Sequence, residues 1–233
     1  MPCGYFTVQD AEGNIYHTVY IAASGQCWLK ENMNVGTRIN SCTAGPCGTN
    51  CSSSCTARGT TVNNQTNNGI IEKYCYNDDE SNCTTYGGLY QWAEAMQYKD
   101  GCSNTNTIQP VHPVQGICPA GWHIPSDSEL HTLEKQLAAP DASCDGNRMN
   151  IYACTPAGTA LKVGGTSGFN ALISGERETD GHFQERGTFE KPWSSTTYNT
   201  TFAYNRWINK NTTTVYRSYH TKAKANSVRC IKD

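Results

Sequence analysis

The sequence has no apolar run long enough to cross a membrane, and its opening residues, MPCGYF, lack the basic start and apolar core of a secretory signal. An export or anchoring segment, a membrane or pilus anchor included, is therefore expected upstream of Met1. Charge is sparse as well: Asp, Glu, Lys and Arg make up 16% of the 233 residues, no block of one sign occurs, and the net charge is −2. Such a chain has no global field for nucleic acid, and no nucleic-acid partner is expected. Hydrophobic residues are few, at 37%, yet 13 Tyr and 5 Trp bring large apolar areas that can fill a core without many Leu or Val. Repeated Cys-x-x-Cys pairs and Cys/His arrays are also missing, so the 13 cysteines read as disulfides rather than zinc ligands. Disulfides place the chain in an oxidising compartment, extracellular or at a cell surface. The odd count leaves at least one thiol unpaired or pairing between chains.

What is present is punctuated by turn residues. The segments YFTVQ and IYHTVYI, rich in aromatic and β-branched residues, flank the turn-forming DAEGN and predict a hairpin; Ser24 and Gly25 then lead into a third short strand, QCWLKENM. Residues 36–70 shift to Ser, Thr, Asn, Gly and Cys, with Cys42, Cys47, Cys51 and Cys55 closely spaced, and predict a stapled surface insertion too poor in apolar residues to form a core. Two helices follow. In TTYGGLYQWAEAMQY, Tyr86, Leu89, Tyr90, Trp92, Ala93 and Met96 recur at helical spacing, with Thr84 or Thr85 as the cap. In IPSDSELHTLEKQL, Ser126 and Glu129 have capping-box spacing and Leu130, Leu133 and Leu137 form a stripe. Glycines at 158, 164, 165, 168, 175, 181 and 187 break the region after Cys154 into loops and short strands, ending in the alternating NSVRCIK.

Seven phrases occur in order: DAEGNIYHTVYI, CWLKENMN, YGGLYQWAEAM, GICPAGWHIPSDSEL, GFNAL, PWSST and SVRCIKD. Together they resemble the Fibrobacter succinogenes major paralogous domain family, which is similar to the C-type lectin fold in its formylglycine-generating-enzyme-like form. The match runs from about Gln9 to Asp233, interrupted mainly by the Cys-rich insertion. The resemblance implies one α+β domain over residues 1–233, with paired terminal strands, two helices, a small antiparallel sheet and long disulfide-stapled loops. Cys118 and Cys230 stand in the family's motifs and are expected to bridge; Cys75 with Cys83, and Cys144 with Cys154, are expected to close two smaller loops.

Residues 191–233 carry no acidic residue until Asp233, and Tyr198 to Thr221 draw largely on Asn, Thr, Tyr, Ser and His. Some family members look like the variable proteins of diversity-generating retroelements, in which a reverse transcriptase randomises template adenines, and Asn codons become codons for this same vocabulary. The resemblance marks residues 191–233 as a variable region. Physical chemistry points the same way, because Tyr gives a rigid face with a hydroxyl while Ser, Thr and Asn adapt their hydrogen bonds. The expected contacts are Tyr198, Thr200, Phe202, Tyr204, Asn205, Asn209, Asn211, Thr212, Thr214, Tyr216, Ser218, Tyr219, His220 and Thr221, some of them turned inward. Trp207, Lys210, Lys222 and Lys224 cannot arise from AAC or AAT codons by changes at adenine and are expected to be scaffold. Arg206 and Arg217, with no carboxylate nearby in sequence, would favour an acidic or phosphate-bearing ligand.

Two other clusters carry metal chemistry on paper. Asn77, Asp78, Asp79 and Glu80 offer oxygen donors for Ca²⁺, against the plain alternative of a solvated acidic loop, and His112, His123 and His131 share one stretch. No other cofactor is implied. Catalysis is not expected: no Ser-His-Asp order, phosphate loop or paired-carboxylate motif occurs, and the reactive cysteine pair of the formylglycine-generating enzyme has no counterpart near Cys230. The sequence thus predicts a surface-displayed protein that binds a protein or glycan ligand on another cell or surface; the alternative is an undiversified structural or adhesive module of a cell-surface or pilus-like assembly.

Overall fold

Asp10 shapes the first turn: its carboxylate accepts the backbone N–H groups of Glu12 (2.9 Å) and Asn14 (3.0 Å), an Asx-type arrangement. In the computed structural model, which describes residues 2–233, this turn joins β1 (Thr7–Gln9) to β2 (Ile15–Ile21) as an antiparallel hairpin. The turn at Ser24 and Gly25 lays β3 (Gln26–Leu29) against β2, with Trp28 opposite Val19. Two short parallel strands, β4 (Thr37–Arg38) and β5 (Glu72–Lys73), bracket the insertion. Within it Cys42 bridges Cys55 and Cys47 bridges Cys51. Polar anchors add to these staples, since Arg177 donates to the carbonyls of Ser41 (3.0 Å) and Asn63 (3.2 Å).

The first expected helix is not continuous. The chain forms α1 (Glu80–Tyr86), a short strand β6 (Tyr90–Gln91) and a single turn α2 (Trp92–Ala95). Gly87 is the reason: it sits at φ 82°, where a Cβ would meet the Asn32 Cβ at 2.6 Å. Thr84 and Thr85 therefore lie inside α1, and its N-cap is Asp79, which accepts from the Ser81 N–H. The second expected helix forms as read. After β7 (Trp122–His123), α3 (Asp127–Leu137) starts with the complete Ser126–Glu129 capping box and buries Leu130 and Leu133.

β8 (Ile151–Ala153) precedes a short helix, α4 (Ala157–Leu161), that the glycine-rich composition concealed. It passes so close to the later hairpin that a Cβ on Gly158 would lie 2.2 Å from the Thr214 carbonyl oxygen. Then come β9 (Glu176–Arg177), β10 (Phe183–Gln184), β11 (Phe189–Glu190), β12 (Trp193–Thr197), β13 (Phe202–Asn209), β14 (Val215–Thr221), β15 (Ala225–Asn226) and β16 (Ile231–Lys232). The expected strand NSVRCIK is realised only at its ends, in β15 and β16.

The architecture is mixed α/β, with four α-helices among the described residues rather than the two expected. The terminal regions pair as expected: one sheet runs β1-β2-β3-β16-β7, with Ile231 opposite Trp28. A second runs β10-β9-β15-β6, and a third runs β11-β13-β14-β8 with β12 also on β13. Between them Arg229, 1% exposed, acts as a polar rivet, donating to Asn32 Oδ1 (2.8 Å) and to the carbonyls of Leu29 and Phe169 while stacking over the Phe169 ring. Six disulfides form, including Cys118–Cys230, Cys75–Cys83 and Cys144–Cys154 as expected, and Cys3–Cys27. The odd cysteine is the buried Cys102, whose thiol pKa burial pushes up to about 11, so that it stays protonated at neutral pH.

Candidate functional site: the C-terminal hairpin

Strands β13 and β14 pair in register from Phe202 opposite Thr221 to Ile208 opposite Val215. Side chains alternate across a strand, so Phe202, Tyr204, Arg206 and Ile208 share one face with Thr221, Tyr219, Arg217 and Val215. The other face carries Ala203, Asn205 and Trp207 with His220, Ser218 and Tyr216. Each face is covered at one end only. On the first face Ile208 and Val215 pack in the cluster formed by α3 and α4, while Phe202, Tyr204 and Tyr219 stay partly open. On the second face Ala203, Asn205, Ser218 and His220 are buried, and Trp207 and Tyr216 stay partly open. The hairpin thus crosses the molecule and emerges on opposite sides.

The expected contacts accordingly divide into three groups. Tyr198, Phe202, Tyr204 and Tyr219 form one aromatic group, in which Tyr198 stacks on Tyr219 at 4.4 Å and 7° and packs edge-on against Tyr204 at 5.4 Å. Thr200 is exposed and Thr221 half-buried on the same end. Asn209, Thr212, Thr214 and Tyr216 are half-buried at the opposite end, where Asn211 is exposed. Asn205 (0% exposed), Ser218 (5%) and His220 (5%) are interior, and their assignment as contacts is corrected. Period-2 alternation puts them on the covered stretch of the second face, where Asn205 bonds the Trp207 indole and Ser218 donates to Asn150 Oδ1 (3.0 Å). Burial holds the His220 pKa below its ordinary value despite the nearby Glu176.

The free positive charge expected of Arg206 and Arg217 is also corrected. Asp127, at the start of α3, pairs with Arg206 at 2.6 Å and with Arg217 at 2.7 Å, and Glu134, about two turns further on, takes Arg206 at 3.0 Å and Arg148 at 2.7 Å. Burial alone would raise the pKa of both carboxyls, but the guanidiniums outweigh it and hold them below the usual range. Arg217 in turn lies 4.3 Å over the Tyr204 ring, so the ion network braces the aromatic group from below. Sequence reading missed Asp127 and Glu134; the available signal was an acidic residue, Glu134, set beside the Leu130 and Leu133 stripe.

Lys222 is buried as a scaffold residue should be, lying 4.5 Å over the Trp92 ring and donating to the Asn106 carbonyl; burial brings its pKa down to about 8. The four residues expected to offer oxygen donors to Ca²⁺ are engaged within the protein. Asp78 spends its carboxylate on the Ser41 and Cys47 N–H groups (2.8 and 2.9 Å), Asp79 caps α1, Glu80 pairs with Arg38, and Asn77 turns the chain at φ 59°. Among the described residues one cluster of potential ligands is close enough for a metal, Cys75, Glu80 and Cys83, and its two sulfurs are joined in a disulfide.

The three histidines do not converge either. His131 faces Glu134, and His112 contacts Ser195 Oγ at 3.2 Å. His123 lies between two carboxylates, 2.9 Å from Glu129 and 2.7 Å from Asp233. His112, His123, Asp127, Glu129, Thr196 and Asp233 line a cleft of about 710 Å³, linked to the aromatic group by Asp127, which pairs with the Arg217 that lies under Tyr204. Burial opposes the charge on His123, but the two carboxylates outweigh it and raise its pKa above 6.5. Glu129, also opposed by burial, is drawn down from 4.5 to about 2 by His123 and Ser126. The signs follow: the histidine's contribution is complete below pH 6.5 and fades as pH rises through its raised value, while the glutamate's is complete above pH 4.5 and fades toward about 2. The melting-temperature gap between wild type and His123→Gln should therefore be widest between pH 4.5 and 6.5 and narrow at pH 8. A gap that grows from pH 6 to 8 would refute the clamp.

A disulfide-stapled mixed α/β domain with one long hairpin crossing near its C-terminus is the class that fold and site define. Its family follows from a match of residues 21–232 to the model described as the Fibrobacter succinogenes major domain: the chain belongs to that family. No curated protein and no solved structure matches the chain.

Proposed function

We propose that this protein is a non-catalytic ligand-binding protein of the cell surface or extracellular space. It is a diversity-generating retroelement variable protein on a C-type lectin-type frame, and it recognises a protein or glycan on another surface. The division of labour along the hairpin carries this reading. Ala203, Asn205, Arg206, Ile208, Val215, Arg217 and Ser218 are buried and fix the strand pairing, whereas Tyr198, Thr200, Phe202, Tyr204 and Tyr219 gather on one open end beside the cleft. The exposed Tyr198 and Thr200 exchange at little cost, within about 0.5 kcal/mol each, and the half-buried Phe202, Tyr204 and Tyr219 cost about 1 kcal/mol more for each lost aromatic pair.

Two measurements test it. Tyr198→Ser, Tyr204→Ser and Tyr219→Ser combined should leave a cooperative unfolding transition while abolishing binding to whatever surface the wild-type protein labels. The coding segment for residues 191–233 should have a near-duplicate beside a reverse-transcriptase gene, with mismatches confined to template adenines. Absence of that repeat would replace diversification with the fixed adhesive or structural module.

A further inference from the structure

The chain holds many asparagines but a single Asn-Gly step, Asn68-Gly69, on the returning limb of the Cys-rich insertion just before β5. Both residues are exposed, and the space around Gly69 is open: a Cβ built there, at φ 79°, would meet nothing within 4 Å. Among the described residues, the Gly69 N–H finds no hydrogen-bond acceptor. The Asn68 side chain, by contrast, is engaged at both polar ends, since Oδ1 accepts the Ile70 N–H at 2.9 Å and Nδ2 donates to Glu72 Oε1 at 3.1 Å. Glu72 organises this corner. Its other carboxylate oxygen accepts the Thr66 N–H (2.9 Å), its carbonyl accepts the Gln65 amide (2.8 Å), and its own N–H donates to Glu94 Oε1 (2.9 Å). Glu94 is fully buried, its Oε2 has no partner, and burial raises its pKa. Lys73, next in the chain, turns instead to Asn34 Oδ1 (3.0 Å) and Glu80 (3.9 Å), and among the described residues no Lys or Arg pairs with Glu72 or Glu94.

We propose that, whatever ligand the hairpin binds, Asn68 is a self-modification site, where deamidation to aspartate or isoaspartate loosens the neck of the insertion. The Gly69 nitrogen gives its proton to solvent and attacks Asn68 Cγ. The bond from Gly69 N to Cγ forms, the Cγ–Nδ2 bond breaks, and Nδ2 takes a proton from solvent and leaves as ammonia. Water then opens the five-membered imide at either carbonyl, which gives aspartate or, with the chain rerouted through the side chain, isoaspartate. Solvent is the only co-reactant. Three features favour the first step: glycine puts no Cβ in the path of ring closure, the attacking nitrogen has no hydrogen bond to give up, and the Ile70 N–H on Oδ1 stabilises the charge that develops there as Cγ becomes tetrahedral. The product reverses the electrostatics of the corner, because a donor to Glu72 becomes a carboxylate facing it, with Glu94 buried on the other side and no cation paired with either. Glu72 lies opposite Thr37 in the pairing of β5 with β4 that closes the insertion, so this pairing is what weakens. Ammonia escapes, and the change runs one way.

The test holds the whole protein, disulfides intact, in warm, mildly alkaline buffer and follows it by peptide mass spectrometry. The mass gain of NH exchanged for O should accumulate first on the peptide carrying Asn68 and resolve into two products, one of which an isoaspartyl methyltransferase labels. Gly69→Ala should slow it several-fold. No gain at Asn68, or a gain no faster there than at the exposed Asn199 and Asn211, overturns the site. For the consequence, Asn68→Asp serves as a permanent copy of one product. It should speed hydrogen exchange about tenfold at the Thr37 and Ile39 amides, which donate to the Ile71 and Lys73 carbonyls. Adding Glu72→Gln removes the facing charge and should bring the exchange back toward the wild-type rate. Exchange at the wild-type rate in Asn68→Asp, or no recovery in the double variant, overturns the loosening.

Discussion

Replacing Cys118 and Cys230 together by Ala should lower the unfolding free energy by about 4–5 kcal/mol, the larger part of what holds many domains folded. The two residues are 112 apart in sequence, and the segment they enclose contains α3, both open ends of the hairpin and much of the cleft's lining, with His112 and Asp233 outside it. In the chain-entropy account the cost grows with the logarithm of loop length, so the same replacement at Cys47 and Cys51, only 4 apart, should cost far less. Urea titration of the two double variants side by side checks this. Equal midpoints would show that loop closure is not the source of the stabilisation.

Glu134→Gln should cost about 3–5 kcal/mol, because it leaves Arg206 and Arg148, 2% and 6% exposed, without their shared counter-ion. Its consequence reaches the candidate site. Arg206 then relies on Asp127 alone, and Asp127 also holds the Arg217 that backs Tyr204. Thermal unfolding gives the stability loss, and near-ultraviolet circular dichroism should show a weakened tyrosine signal. Adding Arg148→Met to Glu134→Gln should restore part of the loss, since it removes one of the stranded charges; a purely additive double variant would mean the pair is not coupled.

Local signals carried much of the fold. The Asp10 turn, the Ser126–Glu129 capping box and the three cysteine pairs were legible because each depends on residues close in sequence or on phrases of the family. The broken first helix was not, since the close approach of Asn32 to Gly87 is a contact across 55 residues and leaves no trace in the 3.6-residue periodicity of Leu89, Trp92 and Met96. The partners of Arg206 and Arg217 were hidden for the same reason: Asp127 lies 79 and 90 positions away. The vocabulary of the C-terminal segment falls on one hairpin and gives no sign of how its residues divide between surfaces. Alternation shows two, with Asn205, Ser218 and His220 in the wall between them.

A ribbon that changes sides within its own length gives one polypeptide two outlooks that share no contact residue. Side-chain changes at the Tyr198 end are then decoupled from the packing at the Trp207 end, because the buried Asn205, Arg206, Arg217 and Ser218 lie between them.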